Sequence, residues 1–197
     1  MSPRVGLAVV QLTKIEAGMS NVVLVVDMVV GFLEPGRNLY SGDDARAIIP
    51  NVRRLIEREQ AQGARVIFVC DTHEPDDLEF QMFPAHCVEG TDECELVPEL
   101  REYEGDILRK RRYSAFFETD LEQRLEELKP DKIIVCGVCT DICVMHTTAD
   151  ARNRDYRVEV PTDCVASFDS NAHEYALQHM ETILGAKLQS PTVSGGS

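Results

Sequence analysis

Three residues with reactive side chains lie where the chain leaves predicted hydrophobic strands: Asp27, Lys110 and Cys143. Cys143 is placed in the first turn of a predicted helix, where unpaired N–H groups and the helix dipole lower the pKa of a thiol. A carboxylate beside a thiol can act as its general base, and a lysine can stabilise the thiolate. These residue types predict a cysteine nucleophile at position 143, with Asp27 as base and Lys110 as a cationic neighbour.

Each of the three residues also has an interpretation without catalysis. Asp27 could cap a loop, and Lys110 could belong to a solvated basic surface formed by residues 109–112. Cys143 could be a buried structural thiol, as we expect for three other cysteines: Cys70, Cys136 and Cys164. The three cysteines of residues 136–143 could also bind zinc or an iron–sulfur cluster, but no second Cys pair completes such a site.

A second group of reactive residues lies in the long loop that follows the second predicted strand. Asp71 and His73 open this loop, and Glu79 and His86 follow within it. Two imidazoles and two carboxylates in one loop could hold Zn²⁺, Fe²⁺ or Mn²⁺, with waters in the remaining positions. A polar loop with scattered charges is the alternative, and the Asp-x-His spacing by itself does not exclude it.

The size and charge of the chain exclude several classes of function. It has 197 residues, of which 44% are hydrophobic, and a net charge of −14, which suits one acidic domain with a sizeable core. Such a chain repels nucleic-acid phosphates and anionic lipid, so we expect a small-molecule substrate and neither nucleic acid nor membrane as partner. Homo-oligomerisation is left open. The seven cysteines are odd in number, which favours reduced thiols and a cytoplasmic location.

Hydrophobic runs alternate with segments of helical periodicity, and this alternation predicts the fold class. Strands are predicted at 21–27, 64–70, 107–109, 131–136, 156–160 and 182–184. Helices are predicted at 43–62, 120–128, 141–152 and 170–180. Continuous β-branched runs are typical of strands buried on both faces. We therefore predict an α/β fold of three layers, with a mostly parallel six-stranded sheet between helices.

The candidate residues are positioned by one domain. We assign residues 1–20 to an N-terminal extension, 21–188 to the domain and 189–197 to a flexible C-terminal tail. The apolar run near the N-terminus is interrupted by Gln11, Lys14 and Glu16, so an extension is favoured over a targeting signal. In parallel sheets, sites form beyond the carboxyl ends of the strands, which is where the candidate residues fall.

Three ordered segments carry a resemblance to a known family: Val25-Val-Asp27-Met-Val-Val-Gly-Phe32, Lys110-Arg-Arg-Tyr-Ser-Ala-Phe116 and Gly137-Val-Cys-Thr-Asp-Ile-Cys-Val144. Together they resemble the isochorismatase-like cysteine hydrolases and, within them, the nicotinamidases. The resemblance implies the Rossmann-like fold of that superfamily. It also implies that Cys143 rather than Cys139 is the nucleophile, with Asp27 and Lys110 as its catalytic partners.

The same resemblance implies a cis peptide bond between Val138 and Cys139. This geometry would direct the N–H groups of Cys139 and Cys143 at the substrate oxyanion. Three aromatic residues are implied as walls of the substrate pocket: Phe32, Phe83 and Tyr113. The chain departs from many relatives in having no Trp and in having Val29 at a position that is frequently Gln.

The loop after the second strand resembles the metal-binding loop of nicotinamidases. The resemblance implies one divalent ion, Zn²⁺, Fe²⁺ or Mn²⁺, with three matching ligands: Asp71, His73 and His86. The remaining ligand position, where many members have His, is assigned to Glu79. Two neighbouring carboxylates are the alternatives: Asp76 and Asp77.

The activity implied by this resemblance is hydrolysis of nicotinamide to nicotinate and ammonia through a cysteine thioester, a step of NAD salvage. One alternative is another small-amide hydrolase of the superfamily that acts on a carbamoyl or ureido group. The other alternative is an inactive relative that binds a metal. The presence of Asp27, Lys110 and Cys143 favours an enzyme.

Overall fold

A computed structural model of the protein describes residues 20–190. Seven strands lie in that range: β1 (Val22–Val26), β2 (Arg65–Asp71), β3 (Asp106–Lys110), β4 (Ile133–Val138), β5 (Val158–Pro161), β6 (Val165–Ala166) and β7 (Lys187–Gln189). The α-helices of the same range are α1 (Val30–Leu33), α2 (Asp43–Ala47), α3 (Ile49–Gln60), α4 (Leu121–Leu128), α5 (Met145–Asn153) and α6 (Ser170–Thr182). A π-helical turn, Thr140–Val144, precedes α5 directly.

The strands form one sheet with the order β3-β2-β1-β4-β5-β7, and the two-residue β6 pairs with β4 beside this path. Every pair of these strands is parallel. The predicted α/β class with six main strands is therefore confirmed. The order reverses between β1 and β4, because β1 continues to β2 on one side and to β4 on the other. Open parallel sheets place their sites in the crevice at such a reversal.

The two faces of the sheet are covered by different helices, and β1 shows how the sequence achieves this. All five of its residues are buried, and successive side chains point to opposite faces. Val23 and Val25 pack with α2 and α3, whereas Val22, Leu24 and Val26 pack with α4, α5 and α6. Each fully buried Val or Leu contributes about 1.5–3 kcal/mol of hydrophobic stabilisation. The continuous apolar run is thus required by a strand that has helices on both sides.

Gly137 allows β1 and β4 to approach closely at the end of the sheet where the reactive residues lie. It is paired with Val26, and its φ angle is 115°. A Cβ atom at this position would lie 1.9 Å from the carbonyl oxygen of Val26, so only glycine fits. This contact determines where the turn after β4 begins relative to the end of β1.

The predicted helix at 43–62 is divided into α2 and α3 at Ile48. Pro50 lies in the first turn of α3, where no N–H is needed for a hydrogen bond within the helix. In the interior of one continuous helix the same proline would remove a hydrogen bond and clash with the preceding turn. The apolar periodicity runs through both helices, and for this reason the sequence pattern alone predicted one.

The predicted strand at 182–184 is wrong. Thr182 ends α6, and the N–H groups of Ile183 and Leu184 donate to the carbonyl of His179. Ile183 is 70% exposed, so its β-branched side chain does not join the sheet. The last strand is β7, which includes Gln189 and so takes the first residue of the predicted tail.

The N-terminal extension predicted at 1–20 and the rest of the C-terminal tail lie outside the described residues, apart from Ser20 and Ser190. Within residues 20–190, no helix has both the length and the apolar character that crossing a membrane requires.

Candidate active site

Four strand ends converge to form one site. Asp27 follows β1 with a φ angle of 53°. This left-handed backbone conformation is unfavourable for residues other than glycine, and it is often found at functional positions. Asp71 and Lys110 end β2 and β3 and are direct register partners. Cys143 lies in the turn that follows β4. The site is therefore assembled by the parallel register of four neighbouring strands, in the order β3-β2-β1-β4.

Lys110 is the centre of this arrangement. Its Nζ lies 2.9 Å from Asp27 Oδ2 and 2.8 Å from Asp71 Oδ1. The same ammonium donates to Cys143 Sγ at 3.5 Å. All four residues are buried, so the interpretation of Lys110 as part of a solvated basic surface is wrong. The structure brings Asp27, Lys110 and Cys143 together, as the sequence predicted.

Asp27 has the properties of a general base. Burial raises the pKa of its carboxyl to about 6, although the Lys110 ammonium acts in the opposite direction. The ammonium lies close to Oδ2 but is not aligned for a hydrogen bond. Oδ1 has no hydrogen-bond partner within residues 20–190. A carboxylate with a free oxygen and a pKa near the working range can accept a proton at neutral pH.

The pKa of the Cys143 thiol differs from the sequence-based expectation. A position at a helix N-terminus predicted a lowered value. Burial instead raises the pKa of this thiol well above its ordinary value, and Asp27 and Asp71 add to that effect, whereas Lys110 opposes it. The low-polarity surroundings and two nearby carboxylates disfavour a further anion, and this direction favours the neutral thiol.

Cys139 has a different environment, although it lies only one turn before Cys143. The peptide bond between Val138 and Cys139 is cis, as the resemblance implied. The Cys139 thiol lies 3.6 Å from Ser41 Oγ, and burial raises the pKa of this thiol to about 11. Lys110 makes its sulfur contact with Cys143 and not with Cys139. The oxyanion role of the N–H groups of Cys139 and Cys143 stays a prediction.

The loop residues Asp71, His73 and His86 form a buried cluster whose ligand atoms lie within 4.8 Å of one another. His73 Nε2 lies 2.8 Å and His86 Nε2 lies 3.3 Å from Asp71 Oδ2. His86 Nδ1 donates to the carbonyl of Pro84 at 2.7 Å. A neutral His86 ring therefore has its lone pair on Nε2, facing the cluster, which is the arrangement that metal-binding histidines adopt. These donors fit a divalent transition metal.

Electrostatics of the cluster also favour a cation. Burial alone would raise the pKa of Asp71, but Lys110 and the two neighbouring imidazoles lower it below its usual range. Burial lowers the pKa of His73, but Asp71 and Asp77 outweigh burial and raise it. Burial raises the pKa of Glu79, and Asp71 adds to this effect. An ionised carboxylate beside two imidazoles therefore persists in a buried position.

The structure distinguishes among the candidates for the fourth ligand. Glu79 Oε1 lies 4.0 Å from His86 Nε2, and Glu79 also lines the adjacent pocket. Asp76 is exposed. Asp77 contacts Nδ1 of His73, on the side of the ring that faces away from Asp71. Glu79 is therefore the carboxylate placed to act as a fourth ligand or to hold a ligating water.

One pocket joins the cysteine and the cluster. The three predicted aromatic walls all line it: Phe32, Phe83 and Tyr113. Sequence reasoning missed five further lining residues: Leu39, Ser41, Val138, Ile142 and Phe168. Phe168 follows the two-residue β6, which is too short to produce a recognisable strand pattern.

Comparison with known proteins identifies the family. A family model described as the isochorismatase domain matches residues 21–190. The chain belongs to the isochorismatase family. A solved pyrazinamidase/nicotinamidase from Streptococcus mutans is 32% identical with a TM-score of 0.81, and the match covers 86% of this chain and all of that one.

Two further solved structures are similar to this chain. An N-carbamoylsarcosine amidase from Thermoplasma acidophilum is 33% identical with a TM-score of 0.79, over 90% of this chain and 100% of that one. A pyrazinamidase from Pyrococcus horikoshii in complex with zinc is 30% identical with a TM-score of 0.80, over 87% of this chain and 99% of that one. Membership of the isochorismatase family supports an amidohydrolase role.

Proposed function

We propose that this isochorismatase-family protein hydrolyses nicotinamide to nicotinate and ammonia through a thioester on Cys143. The observation that carries this proposal is a single pocket lined by Cys143 and Asp27 at one side and by Asp71 and His86 at the other. A nucleophile beside a metal-type cluster suits a small amide whose ring carries a metal-binding nitrogen. The similarity to the nicotinamidase from Streptococcus mutans supports the same substrate.

The chemical steps use Asp27 as the group that moves protons. The neutral Cys143 thiol gives its proton to Asp27 as the sulfur attacks the amide carbonyl, and Lys110 stabilises the developing thiolate. The proton then passes from Asp27 to the leaving nitrogen, the C–N bond breaks and ammonia departs. A thioester between Cys143 and the nicotinoyl group remains. Asp27 next takes a proton from water, whose oxygen attacks the thioester. The C–S bond breaks, Asp27 returns this proton to the Cys143 sulfur, and the product releases its other proton to solvent and leaves as nicotinate.

The residues that would hold a divalent ion are Asp71, His73 and His86, with Glu79 as the additional carboxylate. When bound, such an ion supplies a coordination position for a ring nitrogen of the substrate. The zinc complex of the pyrazinamidase from Pyrococcus horikoshii supports an ion of this kind. The aromatic side chains of Phe32 and Phe83 contribute the apolar surface that holds a planar ring.

The charge of the pocket favours a neutral substrate over an acidic one. Its described lining includes the carboxylates of Asp27, Asp71 and Glu79, and none of the lining residues is Lys or Arg. The nearby Lys110 is already paired with two of these carboxylates. N-Carbamoylsarcosine carries a carboxylate that would find no Lys or Arg side chain among the lining residues of this pocket. The carbamoyl-amidase alternative is therefore disfavoured, and a catalytically inactive role conflicts with the intact contacts of Lys110.

The test is ammonia release from a panel of amides by the purified, metal-replete protein. We expect nicotinamide to be the best substrate. Benzamide has no ring nitrogen, and the nitrogen of isonicotinamide lies at a different distance from the carbonyl, so both should be poor. N-Carbamoylsarcosine should be poorer still. Faster hydrolysis of the carbamoyl compound would make the carbamoyl amidase the better assignment, and no ammonia from any amide would support an inactive relative.

The cellular role follows from the same proposal. Nicotinate is a precursor for the synthesis of pyridine nucleotides, so the enzyme would act in NAD salvage. All seven cysteines are free and buried, which is typical of proteins from reducing compartments, and we propose a cytoplasmic location on this ground.

A further inference from the structure

Asp77 is a buried carboxylate that the proposed chemistry does not use. Its side chain is 2% exposed and lies 3.1 Å from His73 Nδ1 through Oδ2. Its other oxygen, Oδ1, accepts from the N–H of Glu79 at 2.9 Å. One carboxylate therefore touches the side chain of His73 in the metal-type cluster and the backbone of Glu79, the candidate fourth ligand.

Arg112 is the cationic partner of this carboxylate and comes from a distant part of the chain. Its Nη1 donates to Asp77 Oδ2 at 2.9 Å and lies 3.8 Å from Glu79 Oε2. The preceding Arg111 instead pairs with Glu118 on the surface, where about half of each side chain is exposed. The two neighbouring arginines thus have different environments, although the sequence presents them as one basic run.

The contact with Asp77 determines which nitrogen of His73 faces the cluster. Carboxylates lie against both ring nitrogens, Asp77 at Nδ1 and Asp71 at Nε2, and each can only accept a hydrogen bond. A neutral ring that donates from Nδ1 to Asp77 has its lone pair on Nε2, and this is the form that can bind a metal at Nε2. That Nε2 lies 2.8 Å from Asp71 Oδ2, inside the cluster. Partners of this kind orient metal-binding histidines, and their loss typically weakens metal binding by about 10–100-fold.

We propose that Asp77 and Arg112 form a positioning clamp that holds the His73 ring with Nε2 toward Asp71 and His86, and that this clamp sets the affinity of the cluster for a divalent metal. The clamp rests on the proposed function in that it assumes a metal at this cluster. It adds two positioning residues to that site, and neither of them touches the substrate pocket, whose described lining includes neither Asp77 nor Arg112.

The probe is Zn²⁺, and the measurement is its dissociation constant from the metal-free, full-length protein by competition with a chromophoric chelator. Asp77→Asn keeps the size of the side chain but can present an N–H donor to His73 Nδ1, and it should weaken zinc binding by about 10–100-fold. Arg112→Met should weaken it by a smaller factor, roughly tenfold, because Asp77 is kept. Arg112→Lys should restore most of the affinity, since a charged N–H donor returns.

Matched controls lie next to each residue in the sequence. Asp76→Asn makes the same chemical change at an exposed position, and Arg111→Met removes an arginine that pairs only at the surface. Both should bind zinc like the wild-type protein. Urea unfolding of each metal-free variant tests whether the fold is retained. If Asp77→Asn does not fold, the comparison of Arg112→Met with Arg112→Lys still tests the clamp.

Zinc affinity separates the clamp from the proposed reaction. A wild-type protein that binds zinc but releases no ammonia from nicotinamide refutes the proposed substrate and leaves the clamp to be judged by its variants. Equal zinc affinity in wild-type, Asp77→Asn and Arg112→Met proteins would overturn the clamp. Absence of zinc binding by the wild-type protein would overturn it as well.

Discussion

The two halves of the site are built in different ways. The half that contains the nucleophile takes Asp27, Lys110 and Cys143 from three separate strand ends. The half that contains the metal-type cluster takes all its residues from one segment, 71–86, which begins at the last residue of β2. A change in the first half must preserve the register of the sheet, whereas the second half can change within one loop. Under the proposed function, the reaction chemistry would depend on the register of the sheet and substrate selection would depend on the loop.

The two halves meet at a single ion pair. Lys110 Nζ contacts Asp71 Oδ1, while the other oxygen of Asp71 contacts both histidines. A substitution in one half of the site should therefore leave measurements on the other half unchanged. A substitution of Lys110 is the exception and should affect both halves. The predictions below use this difference.

The largest expected effect is from Cys143→Ala. Loss of the sulfur removes thioester formation, and kcat for ammonia release should fall by on the order of 10⁵-fold or more. Cys139→Ala is the matched control, because that thiol contacts Ser41 and not Lys110, and it should keep substantial activity. An inactive Cys139→Ala protein together with an active Cys143→Ala protein would show that the nucleophile is assigned to the wrong cysteine.

The next effect concerns Lys110→Met and Asp27→Asn, which should each reduce kcat by about 10²–10⁴-fold because a proton-handling or charge-stabilising group is lost. Lys110→Met also leaves two buried carboxylates without a cation and should lower the free energy of unfolding by about 3–5 kcal/mol. Arg109→Met, next to Lys110 but about half exposed, is the control and should be close to wild type in urea unfolding. Equal free energies of unfolding for Lys110→Met and Arg109→Met would contradict the buried ion-pair arrangement.

The thiol itself gives a third measurement. Alkylation of Cys143 against pH should report a pKa above that of ordinary cysteine, since burial and two carboxylates disfavour the thiolate. Lys110→Met should raise this pKa further, because Lys110 is the group that opposes the shift. A lowered thiol pKa in the wild-type protein would instead support a preformed thiolate and remove the need for Asp27 to act before attack.

Chelation should affect the loop half and spare the nucleophile half. Removal of the divalent ion should reduce nicotinamide hydrolysis by roughly 10–100-fold, on the scale at which metal-site perturbations reduce activity. Alkylation of Cys143 should continue in the chelated protein. Elemental analysis before chelation and activity after re-addition of Zn²⁺, Fe²⁺ or Mn²⁺ complete the test. Unchanged activity throughout would make residues 71–86 an ordinary polar loop.

The smallest effect is on the pH profile. Asp27 must be ionised to accept the thiol proton, and its pKa is raised to about 6 by burial. The proportion of active enzyme should therefore fall as pH decreases through about 6, and kcat/KM should show an acidic limb there. A group with the ordinary Asp value of about 3.9 would keep full activity to lower pH. An acidic limb near pH 4 would therefore contradict the raised pKa.

Apolar periodicity in the sequence predicts the fold class, and it places the candidate residues Asp27, Asp71 and Lys110 at strand ends. Continuous apolar runs such as 22–26 can be satisfied only by strands covered on both faces, and alternation with helices makes those strands parallel. The carboxyl ends of parallel strands share one edge, so Asp27, Asp71 and Lys110 had to lie near each other once the strands were recognised. The positions of these strand ends can be predicted from the local periodicity of the sequence, without any distance between atoms.

Only the tertiary structure decided the protonation of the site and the roles of neighbouring residues. The sequence placed Cys143 at a helix N-terminus and predicted a lowered thiol pKa, but burial beside Asp27 and Asp71 reverses that direction. From the sequence, Arg111 and Arg112 belong to one basic run, and Asp76 and Asp77 are equivalent candidates for a metal ligand. In each pair one residue is at the surface, whereas Asp77 contacts His73 of the cluster and Arg112 contacts Asp77. A pKa or a hydrogen bond depends on groups that are distant in the chain and on exclusion of water, and neither is a property of local sequence.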